Sequence, residues 1–166
     1  RGYADASSWL NTSNDLQEVI NNAAAGDSIF IEVGKYVPFK NFDRAFVADS
    51  LDSNARFYID KSLHLFGGFQ ASLGIMKVSD PRVLPDRNNS MGTVFSGDVL
   101  QDDSYVSYSD SLGLDSLACQ NCNDNRFGVL LCKLQSLTDT LTINGILFEG
   151  TRMQYFSLPD TFTPSL

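Results

Sequence analysis

DLQEVINNAAAGDSIFIEVGKY, residues 15–36, contains the change of period that decides the architecture. Leu16, Val19, Ile20 and Ala23 fall at i, i+3, i+4 and i+7, so the first half predicts a short helix, about 14–25, with one apolar stripe. Thr12 with Asp15 reads as a capping box and Gly26 as the C-terminal stop. Beyond Asp27 the period becomes two: Ile29, Ile31 and Val33 share one face, Phe30 and Glu32 the other, and Gly34-Lys35 turns the chain. A helix that buries a single stripe is expected to cover the strand that follows it.

Working outward, two strand patterns recur. Leu63-x-Leu65-x-Gly67 returns as Leu141-x-Ile143-x-Gly145, 78 residues later, and Arg56-Phe57-x-Ile59 returns as Arg126-Phe127-x-Val129, 70 residues later. Repeats with insertions of variable length are expected of a solenoid, where inward positions repeat and loops project freely. The segments 40–54 and 99–125 show little periodicity and read as excursions, and the second, rich in Ser, Asp and Tyr, is the stronger functional candidate. Asp80 to Asn89 reads as a connector, because Pro81 and Pro85 cannot sit in a central strand. Trp9 precedes the helix and is expected to pack across it, with sugar stacking as the alternative.

These residues carry a resemblance. Leu16-Gln17, Ala25-Gly26-Asp27, Ile29, Ile31, Gly34 and Tyr36 look like the opening of a right-handed parallel β-helix of the pectin-lyase-like superfamily. The likeness continues at Phe57–Ile59, Leu63–Phe69, Thr93–Asp98 and Leu141–Ile146. It is nearest to the N-terminal coils of large bacterial surface and secreted proteins such as polymorphic-outer-membrane-protein-like adhesins. The resemblance implies an all-β solenoid with an N-terminal amphipathic cap helix. One domain is expected, with residues 1–26 as cap, 27–150 as coils interrupted at 40–54 and 99–125, and 151–166 as tail. It further implies a secreted or cell-surface location, at the bacterial outer membrane in the nearest cases. The superfamily holds lyases, hydrolases, adhesins and stalks, so the fold alone does not select an activity.

Composition narrows the choice. With 166 residues and 43% apolar content the chain can bury a core. The net charge of −8 comes mainly from aspartate, which suits turns. An acidic chain without a basic run opposes nucleic-acid binding. No stretch reaches the ~20 consecutive apolar residues of a membrane-spanning helix. The chain opens at Arg1 without a methionine, which fits either a removed signal peptide or a piece of a longer protein.

Three cysteines leave an odd count. Cys119 and Cys122 are expected to form a small disulfide loop; pairing of one of them with Cys132, or a metal or thiol role, are the alternatives. Cys132 follows Val129, Leu130 and Leu131 and reads as a buried thiol. Zinc would lack a fourth ligand, since the only histidine, His64, alternates with Leu63 and Leu65 and faces outward.

No catalytic constellation emerges. Lyases of the resembled class use a basic residue beside a uronate and calcium on carboxylates. The corresponding residue types here are Arg56, Lys61, Arg126 and Lys133, with Asp98, Asp102, Asp103 and Asp124, in no recognisable motif. An inverting glycosidase needs paired acids, and Glu32, Asp60, Asp98 and Glu149 belong to different elements. No G-x-S-x-G is present. No cofactor is expected; calcium within Asp98 to Asp115 is the alternative, because oxygen ligands abound there without an EF-hand or nonapeptide repeat. Four Asp-(Ser/Thr)-Leu triplets resemble bacterial O-glycosylation acceptors, at Ser50, Ser111, Ser116 and Thr140.

The expectation is therefore a non-enzymatic β-helix module that is rigid, adhesive and able to bind a glycan or a surface protein. Asp102, Asp103, Tyr105 and Tyr108 are the contact candidates. The alternative is the N-terminal portion of a polysaccharide lyase or glycoside hydrolase. The last coil, which ends at Leu141–Phe148, is expected to be covered by the remainder of the same protein or by a partner chain, because an open β edge pairs with any available strand.

Overall fold

The computed structural model describes residues 7–39, 55–86, 91–109, 115–122, 125–126 and 128–151, with the backbone alone at 105, 108 and 115–118. The excursion at 40–54, the tail beyond Thr151, Ser50, Ser111 and Asp124 lie outside the described residues.

The described chain is mostly strand, with one α-helix, α1 (Leu16–Asn22), followed by β1 (Ser28–Glu32) and β2 (Gly34–Tyr36). Next come β3 (Phe57–Ile59), β4 (Leu63–Phe69) and β5 (Thr93–Ser96). A hairpin, β6 (Ser104–Ser109) and β7 (Asp115–Gln120), intervenes before β8 (Leu130–Cys132), β9 (Leu141–Asn144) and β10 (Ile146–Glu149). Three sheets are wholly parallel, with orders β1-β4-β9, β10-β5-β2 and β3-β8, while β6-β7 is antiparallel. The chain thus visits the same three sheets in the same order more than once, and α1 lies against β3.

Registers follow from what each strand must bury. Ile29, Leu65 and Ile143 are directly aligned across the first sheet. The expected 78-residue repeat is the register itself, since Leu63 aligns with Leu141 and Leu65 with Ile143. The 70-residue echo is not: Phe57 aligns with Leu130, a spacing of 73, so the likeness of Arg56-Phe57 to Arg126-Phe127 is one of composition and not of pairing. In the second sheet Tyr36, Phe95 and Phe148 align, and their rings form an edge-to-face ladder with centroid spacings of 6.1 and 5.5 Å. Such ring pairs add roughly 0.5–1.5 kcal/mol beyond their buried area.

The core runs between the sheets. Leu16, Ile20, Ile29, Ile31, Phe57, Ile59, Leu63, Leu65, Phe95 and Val129 form one buried cluster. The corners around it are narrow. Thr93, fully buried, accepts a hydrogen bond at Oγ1 from Gly68 N (2.8 Å) and donates to Glu32 O (2.9 Å), which ties β1, β4 and β5 together.

Several local expectations need correction. The helix is shorter than 14–25. Its N-cap is Asp15, whose carboxylate accepts from Glu18 N at 3.0 Å, and no Thr12 capping box forms. The helix ends at an Ala23 C-cap, three residues before Gly26. Lys61 replaces the glycine stop, because its Nζ donates to Asn21 O and Ala23 O, both at 2.9 Å, and satisfies terminal carbonyls. Trp9 does not staple the helix. Its ring lies on Phe69 with centroids 5.5 Å apart, and its indole N–H donates to Met76 O at 3.2 Å. The 99–125 segment is not aperiodic, since it contains the β6-β7 hairpin. Cys132 is exposed, because β8 turns its last residue outward.

Gln17 sits on the side of α1 that meets β3 and is 5% exposed. Its amide accepts from Tyr58 N (2.7 Å) and donates to Tyr58 O (2.9 Å), doing for the edge of β3 what a neighbouring strand would do. Gln17→Leu leaves both backbone groups unsatisfied and should cost about 2–4 kcal/mol. A shift in the urea midpoint with an unchanged m-value would report it.

Candidate hairpin and acidic site

The hairpin departs from the end of β5 and returns ahead of β8, so its two ends meet at the edge of the parallel stack. Arg126 N donates to Gly97 O, and Arg126 forms a parallel bridge with Thr151. Within the hairpin, Tyr105 aligns with Cys119 and Tyr108 with Ser116. The strands β6 and β7 pair with each other and, among the described residues, with no other strand.

The base of the hairpin holds a concentration of polar groups. Asp98, 6% exposed, accepts from Asp102 N at 3.3 Å, and its own N–H donates to Ser96 Oγ at 3.2 Å. Carboxylate oxygens of Asp98, Asp102 and Asp103 lie within 4.8 Å of one another. Asn121 Nδ2 donates to Asp102 O, and Asn125 Nδ2 donates to Asp103 Oδ2 at 2.8 Å. Cys119 and Cys122 are disulfide-bonded beside this group, with Cα atoms 6.0 Å apart. Asp103 also lies within 4.8 Å of both sulfurs. Among the described residues, Gln101 (φ 57°) and Asn121 (φ 64°) are the two non-glycines in the left-handed region, and both flank the group. Left-handed backbone costs a residue such as Gln101 roughly 1–2 kcal/mol, whereas asparagine tolerates it better.

The structure thus brings together Asp98, Asp102, Asp103 and the Cys119–Cys122 pair from the sequence-derived candidates. Tyr105 and Tyr108 lie on the adjoining strand β6, and Ser116 lies on β7. Thr140 is remote and exposed, with its N–H bonded to Ser62 Oγ at 3.0 Å. Asn125, 1% exposed, carries no motif and was not among the candidates. Only its return position in the hairpin brings it to the acids.

A second concavity, of about 1090 Å³, lies between Trp9, α1 and the β1-β2 edge, lined in part by Ile29, Ile31 and Phe57. Its acids and its cation have structural roles. Asp27 accepts from Ala24 N (2.8 Å), Glu32 from Ala71 N (3.3 Å), and Lys35 pairs with Glu149 (2.9 Å). Burial, followed by the nearby Glu32 charge, pushes the Tyr36 phenol above its ordinary value. The strand-associated acids Glu32 and Glu149 are thus each engaged by the fold.

Two further carboxylates close turns. Asp80 accepts from Lys77 N and Met76 N (2.7 and 2.8 Å), and these bonds, the Lys77 bond first, hold its carboxyl below the ordinary aspartate value. Asp139 accepts from Ser136 N, Ser62 Oγ and Gln135 N, and its pKa is lowered likewise, first by the Ser136 bond. A depressed carboxylate contributes stability that is complete above its unfolded value and is lost as pH falls through the folded one. Both turns should therefore loosen progressively as pH falls below the ordinary carboxylate value of about 4. Amide exchange at Lys77 and Ser136 should accelerate there relative to Leu65, and an unchanged ratio would contradict the assignment.

Among the described residues no helix is long and apolar enough to cross a membrane. Compared with protein-family models, with curated proteins and with solved structures, the chain has no match.

Proposed function

We propose that the three parallel sheets are the faces of a short right-handed parallel β-helix, and that the chain is a non-enzymatic extracellular or cell-surface module. Its stacked coils act as a rigid element, and its hairpin meets a glycan or a surface protein. The carrying observation is the recurrence of strands in register, β1-β4-β9 and β2-β5-β10, from which a self-paired hairpin branches. The right-handed sense follows from the strong preference of parallel crossover connections. In this reading α1 takes the place of a strand beside β3 and covers the first coil through Leu16, Gln17 and Ile20.

Burial favours further polypeptide at the other end. Leu63 and Leu65 are fully buried, whereas their aligned partners Leu141 and Ile143 are half-buried and Phe148 is 40% exposed. A continuing coil or a partner chain would complete that side. The disulfide suits an oxidising compartment.

Replacing residues 105–118 with a short Gly-Ser turn tests the role of the hairpin, because β6 and β7 pair only with each other among the described residues. The trimmed chain should keep cooperative unfolding and lose binding on a glycan array or to surface-protein extracts of defined composition. Release of new reducing ends or unsaturated uronates from polysaccharides by the intact chain would overturn the non-enzymatic reading in favour of a lyase or hydrolase.

A further inference from the structure

Three carboxylates at the hairpin base repel one another, and the most buried of them is sparsely hydrogen-bonded. Asp98 is 6% exposed, and among the described residues its carboxylate receives one hydrogen bond, the 3.3 Å contact from Asp102 N. A buried carboxylate is costly unless paired or coordinated. Asn125 supplies an independent observation. Its amide is 1% exposed and is held against the acids by the 2.8 Å bond from Nδ2 to Asp103, while Oδ1 of the same amide is buried without a hydrogen-bond partner. Buried amide oxygens are ordinarily satisfied, so a lone one beside clustered carboxylates points to a missing electrophile.

We propose that Asp98, Asp102, Asp103 and Asn125 Oδ1 form a binding site for a divalent cation of the calcium type. All four donors are hard oxygens, the set that suits Ca²⁺. Oxygens on opposite sides of a calcium ion stand about 4.8 Å apart, twice a bond of about 2.4 Å. The three carboxylates lie within 4.8 Å of one another, so one ion can reach them all. Water would complete the coordination on the side of the exposed Asp102. The neighbouring sulfurs of Cys119 and Cys122 are consumed by their disulfide, which leaves the oxygen set to define the metal. The cation would tie the outgoing strand of the hairpin, through residues 98–103, to its return at Asn125. Hairpin orientation would then depend on calcium, whatever the hairpin binds.

Calorimetric titration of the whole oxidised chain with Ca²⁺, beside Asp102→Asn, tests the site. Asp102 is exposed, and the variant keeps the backbone N–H that bonds Asp98, so it should fold with an unchanged circular dichroism spectrum. The intact chain should show one saturable site and a higher Tm in Ca²⁺ than in EDTA, and Asp102→Asn should weaken binding about tenfold or more. Asp103→Asn should do the same. Absence of saturable binding in the intact chain, or binding by folded Asp102→Asn equal to it, would overturn the site.

Discussion

Leu65→Ala should cost about 2–5 kcal/mol, the range of large-to-small changes at fully buried positions. Leu65 is fully buried in the middle strand of the β1-β4-β9 sheet, aligned with Ile29 on one side and Ile143 on the other. A cavity there loses contacts on both sides, and the flanking strands are pinned by their own ladders, so collapse is limited. Domains of this size are stable by only about 5–15 kcal/mol, so much of the folded margin is at stake. Ile143→Ala should cost less, because Ile143 is half-buried. Equal midpoint shifts for the two variants in urea would mean that Leu65 does not lie between two strands.

Gly67→Ala should be comparably damaging for the opposite reason. A Cβ at Gly67 would strike Gly145 O and would come within 2.7 Å of Thr93 Cβ and 2.9 Å of Ile146 Cγ1. The first obstacle is backbone and cannot rotate away. The second is the residue whose hydroxyl serves Gly68 N and Glu32 O, so displacing it also threatens two buried hydrogen bonds. Overpacking costs about 1–3 kcal/mol, and loss of the Thr93 bonds adds a similar amount. Thermal unfolding of the variant should begin well below that of the parent; coincident curves would show that the β4 and β9 corners are not in contact.

These sites also mark how far the sequence can be read. The β1, β4 and β9 strands are legible because one face is apolar and the other is not, and a parallel ladder repeats that alternation at fixed spacing. Leu63, Leu65 and Gly67 therefore announce Leu141, Ile143 and Gly145. The β3-β8 register is not legible, because three-residue strands carry too little pattern to outweigh a chance likeness such as Arg126-Phe127. The hairpin is hidden by polarity. In Ser104–Ser109 (SYVSYS), Tyr and Val favour a strand, but serine falls on both faces and leaves neither of them apolar enough to detect. Gln17 is hidden for a different reason: a glutamine on a helix reads as solvent-facing until the edge of β3 is placed beside it. The same holds for Asn125, since the acids were visible as aspartates in a tract but the amide that joins them comes from the far end of the hairpin.

Methyl nuclear Overhauser spectroscopy of the Ile/Leu-labelled chain addresses the stacking most directly. Ile29 aligns with Leu65 and Leu65 with Ile143, so cross-peaks should connect Ile29 to Leu65 and Leu65 to Ile143. Ile29 and Ile143, two strand spacings of about 4.8 Å apart, should show no direct peak. A strong Ile29–Ile143 contact, or the absence of both expected peaks in a folded sample, would contradict the three-strand parallel stack.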